Sequence, residues 1–124
     1  FKVYQLSMEI AEKIWVIVDS WGYFAKDTVG KQLVRAIDSV AANLSEGYGR
    51  YHYRESIHFS YYSRGSLFET KTWLTKARNR KLLKTNDYLL FSQQIDDIGI
   101  RLNNYIKSIG KINNYKDNGP ANDN

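Results

Sequence analysis

Glu55 and His58 form a single Glu-x-x-His, the spacing with which helical di-iron bundles hold metal. Such a site needs a second Glu-x-x-His and two further inward glutamates, and the only other histidine is His52. His52 and His58 fall on different faces of a helix. Arg54 and His58 are too close together for the Arg-to-His spacing of helical-bundle ribonucleases of the HEPN type. The chain has no cysteine, which excludes thiolate zinc sites, iron–sulfur clusters, disulfide scaffolds and cysteine nucleophiles. There is no glycine-rich phosphate loop, no GxSxG and no pair of carboxylates suited to a cleft; Asp96–Asp97 reads as an ordinary exposed helical pair. The sequence is therefore read as non-enzymatic, with no catalytic residue, metal or cofactor.

Binding chemistry is better represented. The formal net charge is +5, and its distribution is uneven. From Arg50 to Lys84 there are nine Lys or Arg against Glu55 and Glu69, whereas the remaining residues carry nine basic and eleven acidic side chains. Lys71, Lys76, Arg78, Arg80, Lys81 and Lys84 concentrate the excess. Clustered cations supply the sequence-independent part of nucleic-acid affinity, although cations at a helix C-terminus also suit the helix dipole. Just upstream, Gly47 to Arg54 reads GYGRYHYR, interleaving Tyr48, Tyr51 and Tyr53 with Arg50, His52 and Arg54. Aromatic faces stack on unpaired bases while guanidinium groups bind phosphates. Arg50, Arg54 and the nearby tyrosines are thus candidates to hold bases, and the six downstream cations to hold phosphates.

A third pattern precedes these. At about 100° per residue, Gln32, Arg35, Ser39, Asn43 and Glu46 fall within one helical arc of roughly 80°, away from the apolar stripe of Leu33, Ile37, Val40 and Leu44. Ser and Asn are poor choices for a free helix surface, so the arc reads as a polar seam against another helix or subunit. Glu69, an acid among cations and beside Leu67 and Phe68, is the expected partner of Arg35 in a partly buried contact.

The elements that must carry these residues are helical. The 124 residues fit one domain, and Pro120 is the only proline, so residues 1–119 can form long uninterrupted helices. Leu6, Ile10, Ile14, Ile17, Val18 and Trp21 mark a first helix, with Ser7 as N-cap and Gly22 as stop. Leu33 to Leu44 mark a second, closing at Gly47 and Gly49. A third runs from about Tyr53 to Asn79 with Ile57, Tyr61, Leu67, Leu74 and Ala77 facing inward. A fourth follows Thr85 or Asn86 and carries Phe91, Ile95, Ile98, Leu102, Ile106 and Ile109. No segment alternates with the period of a strand. The expected architecture is all-α, an up-down-up-down antiparallel four-helix bundle over residues 1–112, with 113–124 a polar disordered tail. The longest apolar run, Ile14 to Val18, is far short of a membrane span, and no secretory signal is visible, so a cytoplasmic protein without membrane partners is expected. Eighteen aromatic residues exceed what one small core readily encloses, which predicts an oligomer.

The run QLVRAIDSVAANLSEGYGR, Gln32 to Arg50, resembles the signature of small four-helix bundle proteins encoded in intervening sequences of bacterial 23S ribosomal RNA genes, often labelled S23-type ribosomal proteins. The matching positions are Gln32, Arg35, Ala36, Ser39, Asn43, Glu46, Gly47, Gly49 and Arg50. Gly65, Ser66, Leu67 and Glu69 resemble the family's second block, continued by Leu74 and Ala77. Where the family often has prolines, before the second helix and after its serine, this chain has Phe24-Ala25 and Val40. The resemblance implies a four-helix bundle assembled into a ring, commonly a homopentamer, with a basic surface and no catalytic activity. It also implies kinship with accessory proteins of diversity-generating retroelements, which bind nucleic acid and a reverse transcriptase. The function expected is nucleic-acid binding, RNA foremost; the alternative is a protein–protein scaffold, such as a partner of a reverse transcriptase.

Overall fold

The computed structural model describes the backbone of residues 1–50 and 52–118 and, apart from Tyr53, the side chains up to residue 111. Its helices are α1 (Lys2–Asp19), α2 (Tyr23–Ala25), α3 (Lys31–Tyr48), α4 (Tyr53–Asn79) and α5 (Thr85–Asn118). A π-helical turn, Lys26–Gly30, joins α2 to α3, so the chain is helical without a break from Tyr23 to Tyr48. Four helical rods result, and there is no strand among the described residues. Tyr51 and the last six residues of the expected tail lie outside the described residues. Helix α5 runs to Asn118, six residues past the boundary at 112. No proline or glycine interrupts it between Lys111 and Asn118, and helix propagation is cheap once a long rod exists.

The rods alternate in direction. Phe1 stacks on Tyr48 while Gly30 meets Val18, so α1 and α3 are antiparallel. Gly47 meets Phe59 while Gln32 shares a groove with Trp73, which sets α3 against α4 in the same way. Lys71 reaches Asp96 and Arg64 reaches Asn103, reversing α5 on α4. The connections are short, as antiparallel neighbours require.

Apolar residues at 3- and 4-residue steps bury one stripe of each rod. Val3, Ile10, Ile14 and Val18 of α1 meet Leu33, Ile37, Val40 and Leu44 of α3 and Phe91, Ile95, Ile98, Leu102, Ile106 and Ile109 of α5. Ser7 is not the N-cap of α1: the helix starts at Lys2, and Ser7 is buried within it, donating to the Val3 carbonyl at 2.7 Å. That bond satisfies the hydroxyl without breaking the helix.

Helix α4 follows a different rule. Its inner line is Ser56, Ser60, Ser63, Leu67, Thr70, Leu74 and Ala77, a strict 4-3 repeat in which the first three members are serines. Tyr61, expected inside, is 45% exposed. The Ser63 hydroxyl is fully buried and donates across to the Val40 carbonyl of α3 at 2.8 Å. Ser60 bonds back to Ser56 and Thr70 to Ser66. Small side chains let the two backbones approach: a Cβ placed on Gly47 would lie 2.8 Å from the Phe59 Cβ and 3.2 Å from the Ser56 carbonyl.

Candidate nucleic-acid interface

The C-terminal end of α4 holds the densest positive charge. Lys76 and Arg78 lie in its last turn, Arg80 is the C-cap, and Lys81 and Lys84 lie in the link to α5. The helix closes with a Schellman motif. The Lys81 N–H donates to the Arg78 carbonyl at 3.0 Å and the Leu82 N–H to the Ala77 carbonyl at 2.9 Å. This closure requires a left-handed residue, and Lys81 supplies it with φ 61°, the only non-glycine positive φ among the described residues. Glycine is the ordinary occupant; a side chain there costs about 1–2 kcal/mol. Replacing Lys81 by Gly is therefore expected to raise unfolding stability by about 1 kcal/mol, read as a higher urea midpoint with unchanged slope.

None of Lys76, Arg78, Arg80, Lys81 and Lys84 forms an ion pair with a described carboxylate. Two are held by aromatic faces: Arg78 lies 4.2 Å over the Tyr88 ring, and the Lys76 ammonium is 5.8 Å from the Trp73 ring centre. Such contacts orient a cation without neutralising its charge; one Arg78 donor also reaches Asn79 Oδ1 at 3.4 Å. The Tyr88 phenol responds to this setting. Hydrogen bonds from Thr75 and Ser92 hold its pKa below the ordinary value, assisted by the charges of Arg78 and Lys71. A groove beside α4 joins Lys76, Arg80 and Trp73 to Gln32, Thr28 and the acid Asp27 of the π turn and α3.

The other expected contacts are placed elsewhere. Arg50 binds Glu46 and stands 3.9 Å from Glu55, with its guanidinium over the Phe59 ring. Its charge is thus largely committed. Arg54 is exposed in the first turn of α4; Tyr51 and the side chain of Tyr53 lie outside what is described. From Arg54 to Arg78 the helix rises by about 36 Å at 1.5 Å per residue. Arg50 and Arg54 therefore stand at the opposite end of the bundle from the basic cap and form no single site with it. Lys71 sits between, paired with Asp96 at 3.0 Å. The described residues contain no group of three His, Asp or Glu suited to a metal, and Glu55 and His58 are both exposed.

The polar arc of α3 is half-buried at Gln32, Ser39 and Asn43 and exposed at Arg35 and Glu46. Ser39 donates to the Arg35 carbonyl at 2.7 Å and Asn43 to the Ser39 carbonyl at 2.8 Å, bonds within the helix itself. The contact expected between Arg35 and Glu69 does not form. Glu69 is exposed and accepts from Trp73 Nε1 at 3.0 Å, one turn along its own helix. Arg35 is exposed and lines the groove between α1 and α3, on the side away from α4. Long side chains on an accessible face reach nearby partners and water, so nothing forces an inter-helix pair. The buried polar line that does join α3 to α4 is the serine row of α4, missed because small hydroxyl residues do not register as core. Its signal was the unbroken 4-3 spacing from Ser56 to Ala77.

Asp38 faces Glu12 along the α1–α3 groove, near Ala11 and Ala41. Partial burial, and then the Glu12 charge, raise its carboxyl pKa. A raised carboxyl pKa means that the folded form holds its proton more tightly than the unfolded form. Stability contributed at this site falls as pH rises through the interval above its ordinary value. Asp38→Asn is expected to flatten that part of the stability–pH curve and to raise the urea midpoint slightly at neutral pH.

Comparisons agree with this architecture. The family model described as 23S rRNA-intervening sequence protein matches residues 1–104. The chain is also similar to the crystal structure of a Bacteroides thetaiotaomicron protein of unknown function from the S23 ribosomal protein family. That pair has a TM-score of 0.76 and 21% identity over 85% of this chain and 98% of the other. No curated protein matches. No described helix is long and apolar enough to cross a membrane.

Proposed function

We propose that this chain, which belongs to the 23S rRNA-intervening sequence protein family, is a non-catalytic RNA-binding protein that docks phosphates on the basic cap at the end of α4. One observation carries the reading: Lys76, Arg78, Arg80, Lys81 and Lys84 converge on one helix end without a carboxylate partner among the described residues. A left-handed lysine where glycine would be cheaper supports it, because strain retained at a surface position points to use of the side chain. Salt dependence tests it. Affinity for single-stranded RNA should fall with a log–log slope of about −0.7 per phosphate neutralised, so four contacts give a slope near −3. A flat response would remove the reading.

The chain acts, on this proposal, as a cytoplasmic homo-oligomer, with the pentamer favoured by the family resemblance. The outer face of α4 supports assembly: Tyr61, Tyr62 and Phe68 are exposed around Gly65, whose Cα has open space before it. A mid-helix glycine with open space before it leaves room for a second backbone to approach. A mass near 14.5 kDa by light scattering at micromolar concentration would refute assembly. The same face serves the alternative reading, a scaffold for a partner such as a reverse transcriptase, in which case RNA affinity near physiological salt would be absent.

A further inference from the structure

The basic cap shares its end of the bundle with a second cationic feature. On the opposite flank of the π turn, α1 and α3 enclose an open groove of about 280 Å³. Trp15, Val18 and Val34 give it apolar walls, and Lys26, Lys31 and Arg35 line it with the acid Asp19. Trp15 is 55% exposed, a large loss of burial for an indole in a bundle this small. Lys26 is paired with Asp19 at 3.3 Å, whereas Lys31 and Arg35 form no ion pair with a described residue. Lys31 belongs to this groove and the next residue, Gln32, to the groove that leads past Trp73 to Lys76 and Arg80. Cationic side chains thus line the grooves on both sides of the start of α3, with Asp19 in one and Asp27 in the other. The bulge that shapes them is a π turn, an irregularity that often marks functional sites.

We propose that the Trp15 groove takes an unpaired base of the same RNA strand whose phosphates rest on the basic cap, with Lys31 and Arg35 on the intervening phosphates. An exposed indole offers a face to any base, and the two cations beside it match a polyanion's backbone. A duplex cannot present a base to such a groove, so the assignment makes the ligand single-stranded. The inference rests on the RNA-binding reading above and adds strand state and a second contact region to it.

The test uses the full chain, a ten-nucleotide oligoadenylate, a blunt RNA duplex and adenosine monophosphate. Trp15→Leu is expected to weaken oligoadenylate binding about tenfold, leave its salt slope unchanged and leave duplex binding unaltered. Lys31→Gln with Arg35→Gln should flatten the slope by about 1.4. Because these residues are on the surface, thermal unfolding of each variant should match the parent. If the parent binds RNA and Trp15→Leu binds oligoadenylate equally well, this inference fails and the basic cap stands alone. If the parent binds no RNA, both readings fall. If Trp15→Leu lowers oligomeric mass and weakens both RNAs alike, the groove belongs to a second copy of the chain and the inference is overturned. If the mononucleotide binds as tightly as the oligomer, the groove serves a free nucleotide and the strand assignment is overturned.

Discussion

Replacing Arg78, Arg80 and Lys81 together by Glu is expected to weaken RNA binding by on the order of 10²–10³-fold near 100 mM salt. The three changes move the formal net charge from +5 to −1 and reverse the field where the phosphates would rest. The salt slope should flatten by about 2 units, three phosphates at roughly 0.7 each. Folding should survive: all three side chains are exposed, and the main interaction removed is the stacking of Arg78 over Tyr88, worth about 0.5–1 kcal/mol. Unchanged helicity with unchanged affinity would show that the cap is solvated charge. Arg50→Gln provides the contrast, because Arg50 is already bound to Glu46 at the far end of α4. It is expected to leave RNA affinity within about twofold and to act, if at all, on stability.

The second large effect lies in the interior. Gly47→Ala is expected to destabilise the chain by about 1–3 kcal/mol, although alanine is the better helix former by about 1 kcal/mol. The new methyl would meet the Phe59 Cβ and the Ser56 backbone, neither of which can swing aside, so α3 and α4 would have to part. Gly65→Ala, the same change in the same kind of helix, should do the reverse. No atom lies within 4 Å of its added Cβ, and the gain in propensity, about 1 kcal/mol, is uncontested within one chain. Urea midpoints of the two variants, read at a concentration where the chain is monomeric, should therefore move in opposite directions. If both rose, the close approach of α3 and α4 would not be real.

That contrast also explains what could be read from the amino acids. In α1, α3 and α5 the inward positions are, apart from Ser7 and Gly47, aliphatic or Phe, and the 4-3 spacing of Ile10 and Ile14, Leu33 to Leu44 and Phe91 to Ile109 marks the core directly. In α4 the same search finds Ile57 and Tyr61, which are half-buried and exposed, because the true line is Ser56, Ser60 and Ser63. Hydrophobicity records burial by oil and misses burial by smallness. The charge cluster was legible as composition, but a linear count joins Arg50 to Lys84 without regard to the length of the helix between them. Only the rod shows that Arg54 and Arg78 face different neighbourhoods. Lys81 was legible as a charge and not as a left-handed residue, since glycine or asparagine normally announces that conformation. The Arg35–Glu69 pair does not form: Arg35 lines the α1–α3 groove, and Glu69 accepts from Trp73 on its own helix.

The serine row has a consequence for motion. Each apolar side chain sealed inside a helix must be exposed to water when that helix lifts, and this cost holds the backbone amides closed against exchange with solvent. From Leu67 to Ala77 helix α4 has such a cost, with Leu67 and Leu74 almost wholly enclosed. From Ser56 to Ser63 the fully buried side chains are hydroxyls that water can satisfy as well as protein can, with Ile57 and Phe59 only half-buried. The first three turns of α4 should therefore open as a unit at much lower free energy than the rest of the same continuous helix. Amide exchange would divide the rod near Arg64, with rapid exchange toward Arg54 and slow exchange toward Arg78. The basic cap then stands on the stiff half, where a lysine can be kept in a strained conformation, while Arg54 stands on the half that opens first.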